Sequence, residues 1–256
     1  MNIPVYSLFV AATLSSLPAL SYAECRVTSS PRTVALIELY TSEGCSSCPP
    51  ADRWLSHLKL APESAIALSL HVDYWDRLGW KDRFANANFT ARQYDQMRRQ
   101  NTEYVYTPQV LVQGRDFRRW GTGSESATIA EVNARPARAV IELTAEPQGD
   151  KALVDVHVAV PDKHDRTNTR VAIALVQDGL VSDVKAGENA GARLEHDHVV
   201  RQWRTGLSLD AAGELREHVK FTLPAETGPV SVIAFAEDSK SGDILQVVAL
   251  PMCKGN

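Results

Sequence analysis

The stretch LIELYTSEGCSSCPPADRWL, Leu36 to Leu55, opens on an apolar run, breaks at a polar turn, and delivers two cysteines three residues apart followed by two prolines. The run reads as a strand and the segment from about Pro49 to Leu60 as a helix. Cys45 then lies at a strand-to-helix turn, where outward-pointing amides favour the thiolate that attacks a disulfide. It is expected to be the more exposed and more reactive sulfur. Cys48, deeper by one turn, is the thiol that closes the intramolecular bond and releases a partner. Pro49 and Pro50 work against this, because they remove two amide donors. A helix that starts at Cys48 and not at Cys45 lends Cys45 less of its dipole, and Glu43 opposes the thiolate further.

The redox compartment decides what such a pair means. No residue from Met1 to Ala23 is charged, an apolar run fills Val5 to Leu20, and Ser21, Tyr22 and Ala23 supply a cleavage site. Residues 1–23 are therefore expected to be a signal peptide, and the mature protein periplasmic or secreted. No later segment has the ~20 consecutive apolar residues of a span, so no membrane anchor is expected after cleavage. The formal charge of −4 gives no basic face for nucleic acid. Arg92, Arg98 and Arg99, interleaved with polar residues, read as the solvated face of a helix. A monomer without cofactor is expected.

The character of the chain changes near Pro136. Before it, strand-like runs (Val34 to Tyr40, Ala65 to His71, Val110 to Gln113) alternate with helical patterns (Pro49 to Leu60, within Asp82 to Asn101, Ser126 to Arg135). That order marks an α/β layer over residues 24–136. From 137 to 256 the pattern is a succession of strands: Val140 to Ala145, Ala152 to Val160, Arg170 to Gln177, Val199 to Thr205, His218 to Leu223, Val230 to Glu237 and Leu245 to Leu250. Val154, Val156, Val158 and Val160 share one face of the second, and turn residues separate the runs, as in a β-sandwich.

Some sixty residues after the cysteines, VYTPQVLVQG places Thr107 and Pro108 directly before a β-run, and X-Pro bonds are the ones able to be cis. Strand, CxxC, helix, strand, helical insertion and Thr-Pro before a strand together resemble the thioredoxin fold, a three-layer arrangement about a mixed sheet. In that family the cis proline lies against the CxxC sulfurs and the flanking backbone pairs with the bound peptide, which gives Pro108 and Thr107 those roles here. The longer motifs EGCSSCPPAD, HVDYWDRLGWKDRF, TPQVLVQG and GENAGARLEHDHVVR resemble an exported bacterial family known as domain of unknown function 1223. The resemblance implies a thioredoxin-like fold and names no substrate. Gly44 departs from the many thioredoxins that carry Trp before the first cysteine.

The block His71 to Trp80 is dense in aromatic and acidic residues. Trp75 and Trp80 either offer a face to a substrate peptide or cover the sheet end as core aromatics. Asp73 is either a proton relay to the buried thiol or a capping or turn aspartate. His196 and His198, two apart, share a face if extended and could then ligate copper or zinc, although no third ligand follows from the spacing. Four cysteines allow three pairings. With Cys45 and Cys48 joined locally, Cys25 and Cys253 are left for each other, and closing that loop removes about 5 kcal/mol of unfolded-state entropy in the chain-entropy model. Lipid attachment at Cys25 is the other reading of that residue.

Three functional readings remain open at this point. The first is a thiol–disulfide oxidoreductase acting on protein thiols or disulfides, or with a redox partner protein. The second is a binding or scaffold protein with a permanent CxxC disulfide. The third is a copper or zinc carrier using the CxxC and the histidine pair.

Overall fold

The computed structural model describes residues 25–253, so the expected signal peptide, residues 1–23, lies outside the described residues. The first part of the chain contains β1 (Cys25–Thr28), β2 (Ala35–Thr41), α1 (Pro49–His57), β3 (Ala65–His71), α2 (Ala87–Arg99), β4 (Gln109–Val112), β5 (Arg115–Asp116) and α3 (Glu125–Asn133). Then follow β6 (Val140–Gln148), β7 (Lys151–Ala159), the short α4 (Lys163–Arg166), β8 (Thr169–Gln177), β9 (Leu180–Asp183) and β10 (Arg193–His196). The chain ends with β11 (Val199–Ser208), β12 (Glu214–Thr222), β13 (Val230–Asp238) and β14 (Ile244–Pro251). This is a thioredoxin-like α/β region followed by a larger, mostly β region.

β2 and β3 are parallel, and β4 runs antiparallel to β2. All three strands are buried along their whole length. Buried alternation is resolved by two helical layers. Ile37 and Leu39 pack with Ala51 and Leu55 of α1 and Ile129 and Val132 of α3, whereas Leu36, Leu68 and Leu70 pack on the opposite face with Phe89 of α2.

One sheet runs through both regions, in the order β14-β13-β8-β11-β3-β2-β4-β5. The junction is β11, which is antiparallel to β8 and meets β3 in parallel at Val199 and Ser69. A second, antiparallel sheet, β1-β6-β7-β12, covers the β8–β13–β14 end. Val154, Val156 and Val158 face Ile173, Leu175, Val232 and Leu250 across this sandwich. Alternation marks each strand but not its partner, so the continuous sheet was hidden in the sequence, as was the use of the amino-terminal β1 in the second layer.

α2 corrects one expectation. Arg92 is buried, not solvated: Nε and Nη2 donate to the two carboxylate oxygens of Glu38 on β2 at 2.7 and 2.8 Å, and Nη1 donates to Glu237 on β13 at 3.1 Å. Its guanidinium also lies over the rings of Phe235 and Trp203. A charged residue at a core position of an amphipathic helix becomes tolerable when bidentate pairing satisfies it.

Candidate functional site

β2 delivers the chain at Thr41 to the sheet end, and the turn that follows carries both cysteines. α1 begins only after them, with Cys48 as N-cap and Pro49 and Pro50 in its first turn. Proline suits that position because its missing amide needs no partner there. The same choice strips amides from the helix end nearest the sulfurs, so the dipole acts on Cys48 more than on Cys45.

Cys45 and Cys48 are joined in a disulfide with Cα atoms 5.4 Å apart. Both are fully buried, so the expectation that Cys45 is the more exposed is corrected; Ser46 and Ser47 between them are the exposed residues. The cover over Cys45 comes from two sides. The Thr107–Pro108 bond is cis, and the Thr107 hydroxyl donates to Cys45 Sγ at 3.3 Å. Trp75 Nε1 donates in turn to Thr107 Oγ1 at 2.8 Å, and Ser47 Oγ lies 3.4 Å from Cys45 Sγ. A Cβ on Gly44 would come within 3.2 Å of Trp75 Cβ, so a side chain before the first cysteine needs Trp75 to give way by a few tenths of an ångström.

Trp80 points elsewhere: its Nε1 donates to Glu43 Oε2 at 2.7 Å. Asp73 accepts from the Thr90 hydroxyl at 2.6 Å and its amide donates back, which ties the loop to α2. The N-cap of that helix is Asn86, and the Asp73 carbonyl accepts from the Asp76 amide at 3.1 Å, so Asp73 is a turn residue and not a cap.

Beneath the turn lies a group of buried ionisable side chains that sequence spacing did not reveal: Glu43, Asp52, His71, Asp82 and His196. His71 Nδ1 and Asp82 Oδ2 are 2.7 Å apart, and Asp82 also accepts from the Glu43 amide at 2.9 Å. Burial alone would push the His71 value down and that of Asp82 up, but the pair's mutual attraction and hydrogen bond raise His71 and lower Asp82. Burial also works against the Glu43 carboxylate, yet the polar groups around it, His196 at 3.5 Å, Ser182 and the donating Trp80 indole, hold it below the usual range. Asp52, on α1 one turn after Cys48, is raised by burial, and its Oδ1 has no hydrogen-bond partner among the described residues. A buried aspartate on an otherwise amphipathic helix was the one available signal for this group.

His196 and His198 do not form a ligand pair. β10 ends at His196, which is buried 3.5 Å from Glu43 Oε1, and His198 adopts a left-handed turn (φ 58°) and lies 3.4 Å from Asp178. The two rings take different partners: His196 packs with His71 and Phe84, whereas His198 lies against Asp178. His157 and His218 sit instead on the β7–β12 surface, beside Glu214 and Asp155. Among the described residues no three His, Cys, Asp or Glu side chains form a group that could hold a metal ion, and no helix is long and apolar enough to cross a membrane.

Residues 36–236 match the model of a family described as protein of unknown function (DUF1223). The chain belongs to that family. A crystal structure of a protein from Agrobacterium tumefaciens is similar at 26% identity, with a TM-score of 0.60, covering 89% of this chain and 98% of the other. HBP35 of Porphyromonas gingivalis shares the fold at 14% identity, with a TM-score of 0.61, covering 86% of this chain and 76% of the other. No curated protein matches the sequence.

Proposed function

We propose that this family member is an exported thiol–disulfide oxidoreductase whose working pair is Cys45 and Cys48. The observation that carries the reading is the Thr107 hydroxyl directed at Cys45 Sγ at 3.3 Å, at the sheet end of a thioredoxin-like layer. A donor aimed at that sulfur gains strength when the sulfur becomes a thiolate. In the step itself a partner thiolate attacks Cys45 Sγ, the new sulfur–sulfur bond forms, and the Cys45–Cys48 bond breaks with its electron pair leaving on Cys48. Cys48 then takes a proton, for which Asp52, protonated more readily than an ordinary aspartate, is the nearby buried source along α1. A second partner thiolate then attacks the mixed disulfide and releases Cys45 as a thiolate, so a dithiol partner leaves oxidised. In reverse the Cys45 thiolate attacks a partner disulfide and Cys48 resolves the mixed disulfide, which reduces the partner, so the same residues serve either direction. Because Cys45 is covered, the Trp75–Thr107 contact must shift before a partner sulfur reaches it.

The full burial of both sulfurs favours a second reading, a permanent disulfide bracing the turn. Equilibration with glutathione and dithiothreitol buffers separates the two, since a structural bond resists reduction below about −300 mV. Opening above that potential, with turnover of a disulfide-bonded protein substrate, supports the oxidoreductase. A bond that stays closed there supports the brace.

A further inference from the structure

The loop between β9 and β10, far from the cysteines in sequence, grips the turn that carries them. Asn189 Nδ2 donates to the carbonyls of Glu43 at 2.8 Å and Cys45 at 3.0 Å, and Glu188 Oε2 accepts from the Ser46 amide at 3.1 Å. The loop is itself ordered: Val184 and Ala192 pair across its base, and Ala190 N donates to the Gly187 carbonyl. Gly187, at φ 73°, lets its backbone pass against Trp80, where a Cβ would come within 3.1 Å of Trp80 Cβ. Leu194 and His196 of β10 fix the far side of the loop in the buried core.

A thiolate at the first cysteine of such a turn is stabilised chiefly by nearby backbone amides and by the helix terminus. Here those donors are largely committed. Pro49 and Pro50 have none, the Cys48 amide donates to the Cys45 carbonyl at 3.2 Å, and the Ser46 amide is taken by Glu188. Glu188 also brings a negative charge to the turn from the open, solvent side, where Arg53, Arg193 and Glu195 line a cavity beside Pro49. The others facing it, Glu43, Asp52, Asp82, His71 and His196, lie behind it in the interior.

We propose that Glu188 and Asn189 are positioning residues for Cys45, the asparagine holding the turn's carbonyls and the glutamate holding the Cys45 thiol less acidic. The inference rests on the oxidoreductase reading for its purpose but not for its test. It makes the β-rich region part of the redox site: the loop from one region sets how readily the sulfur in the other becomes a nucleophile.

The test uses the full chain carrying Cys48→Ser, in which Cys45 is the one thiol because Cys25 and Cys253 stay bonded. Thiolate formation is followed by ultraviolet absorbance against pH, which needs no access to the buried sulfur. Adding Glu188→Gln should lower the Cys45 value enough to raise the neutral-pH thiolate fraction about three- to ten-fold at low salt. Part of that gain should fade in high salt, because an exposed charge is screened. Asn189→Ala, which frees the loop and keeps the charge, should shift the value in the same direction by less. A Cys48→Ala background repeats the measurement if the serine variant folds poorly. An unchanged or raised Cys45 value in Glu188→Gln overturns the inference, whereas failure of the wild-type disulfide to open in redox buffer overturns the oxidoreductase reading and leaves this titration readable.

Discussion

Thr107 Oγ1 donates to Cys45 Sγ at 3.3 Å while accepting from Trp75 Nε1 at 2.8 Å, so one hydroxyl both faces the sulfur and carries its cover. Removing it should act on two observables. Thr107→Val takes away a donor worth about 1.5–3 kcal/mol to a charged acceptor at most. The Cys45 thiol should become less acidic by about one unit, and the indole, having lost its acceptor, should leave the sulfur more open. Alkylation of the reduced protein over a pH series reads both: the midpoint should rise while the rate at high pH increases. A midpoint that does not move would remove Thr107 from the redox machinery.

His71 and Asp82 give the fold a defined pH window. His71 is raised in the folded state, so its contribution is complete below the ordinary value of 6.5 and fades as pH climbs through the folded value. Asp82 is lowered, so its contribution is present above the ordinary 3.8 and is lost as pH falls through the folded value. Both hold between roughly pH 4 and pH 6.5. Asp82→Asn should therefore be most destabilising in that interval, and the gap from wild type should narrow in alkali as the imidazole becomes neutral. Urea denaturation at pH 5, 7 and 9 measures it, and a gap that widens with pH would contradict the assignment.

The parts of this site that lie within one stretch of chain were legible. A strand, a turn with two cysteines and a helix beginning at Pro49 are local, and so is Thr107-Pro108 before β4. The parts assembled from distant stretches were not. Asp82 and His71 meet Glu43 only because the loop after β3 folds back under the turn, and Glu188, although inside the motif GENAGARLEHDHVVR, meets Ser46 only because the β9–β10 hairpin crosses from the other region. His198 misled for a related reason: period-two alternation presumes an extended chain, and a single left-handed residue cancels it. Arg92 misled because a charge on a helix usually faces water, whereas here two carboxylates on two strands of the shared sheet receive it.

That Arg92 arrangement makes its own prediction. Glu38 lies on β2 and Glu237 on β13, so one guanidinium ties α2 to both regions of the eight-stranded sheet. Arg92→Met leaves Glu38 buried without its cation and Glu237 with Arg99 alone, at 3.5 Å, and breaking a buried pair from one side costs about 3–5 kcal/mol. The triple change of Arg92→Met, Glu38→Gln and Glu237→Gln should recover a substantial part of the loss. Chemical denaturation of both variants checks this, and a single variant within about 1 kcal/mol of wild type would show the network to be energetically idle.

Cys25 and Cys253 are bonded with Cα atoms 6.0 Å apart, and the Cys253 amide donates to Cys25 Sγ at 3.0 Å. Cys25 begins β1 in the four-stranded sheet, and Cys253 follows β14 in the eight-stranded one, so this bond joins the two layers of the sandwich at their edge. Its neighbours Ala145, on β6, and Leu250, on β14, are core residues of the interface it closes. Opening it releases both chain ends without disturbing the turn at Cys45, which is built on a different part of the sheet. Cys253→Ser should lower stability by about 2–5 kcal/mol, the usual loss for a native bridge. The redox midpoint of Cys45–Cys48 should stay where it is in that variant. Partial reduction followed by peptide mapping should find the CxxC bond open while the terminal bond remains closed. The reverse order, or a shifted CxxC midpoint in Cys253→Ser, would mean that the staple and the redox site are coupled through the sheet and not independent.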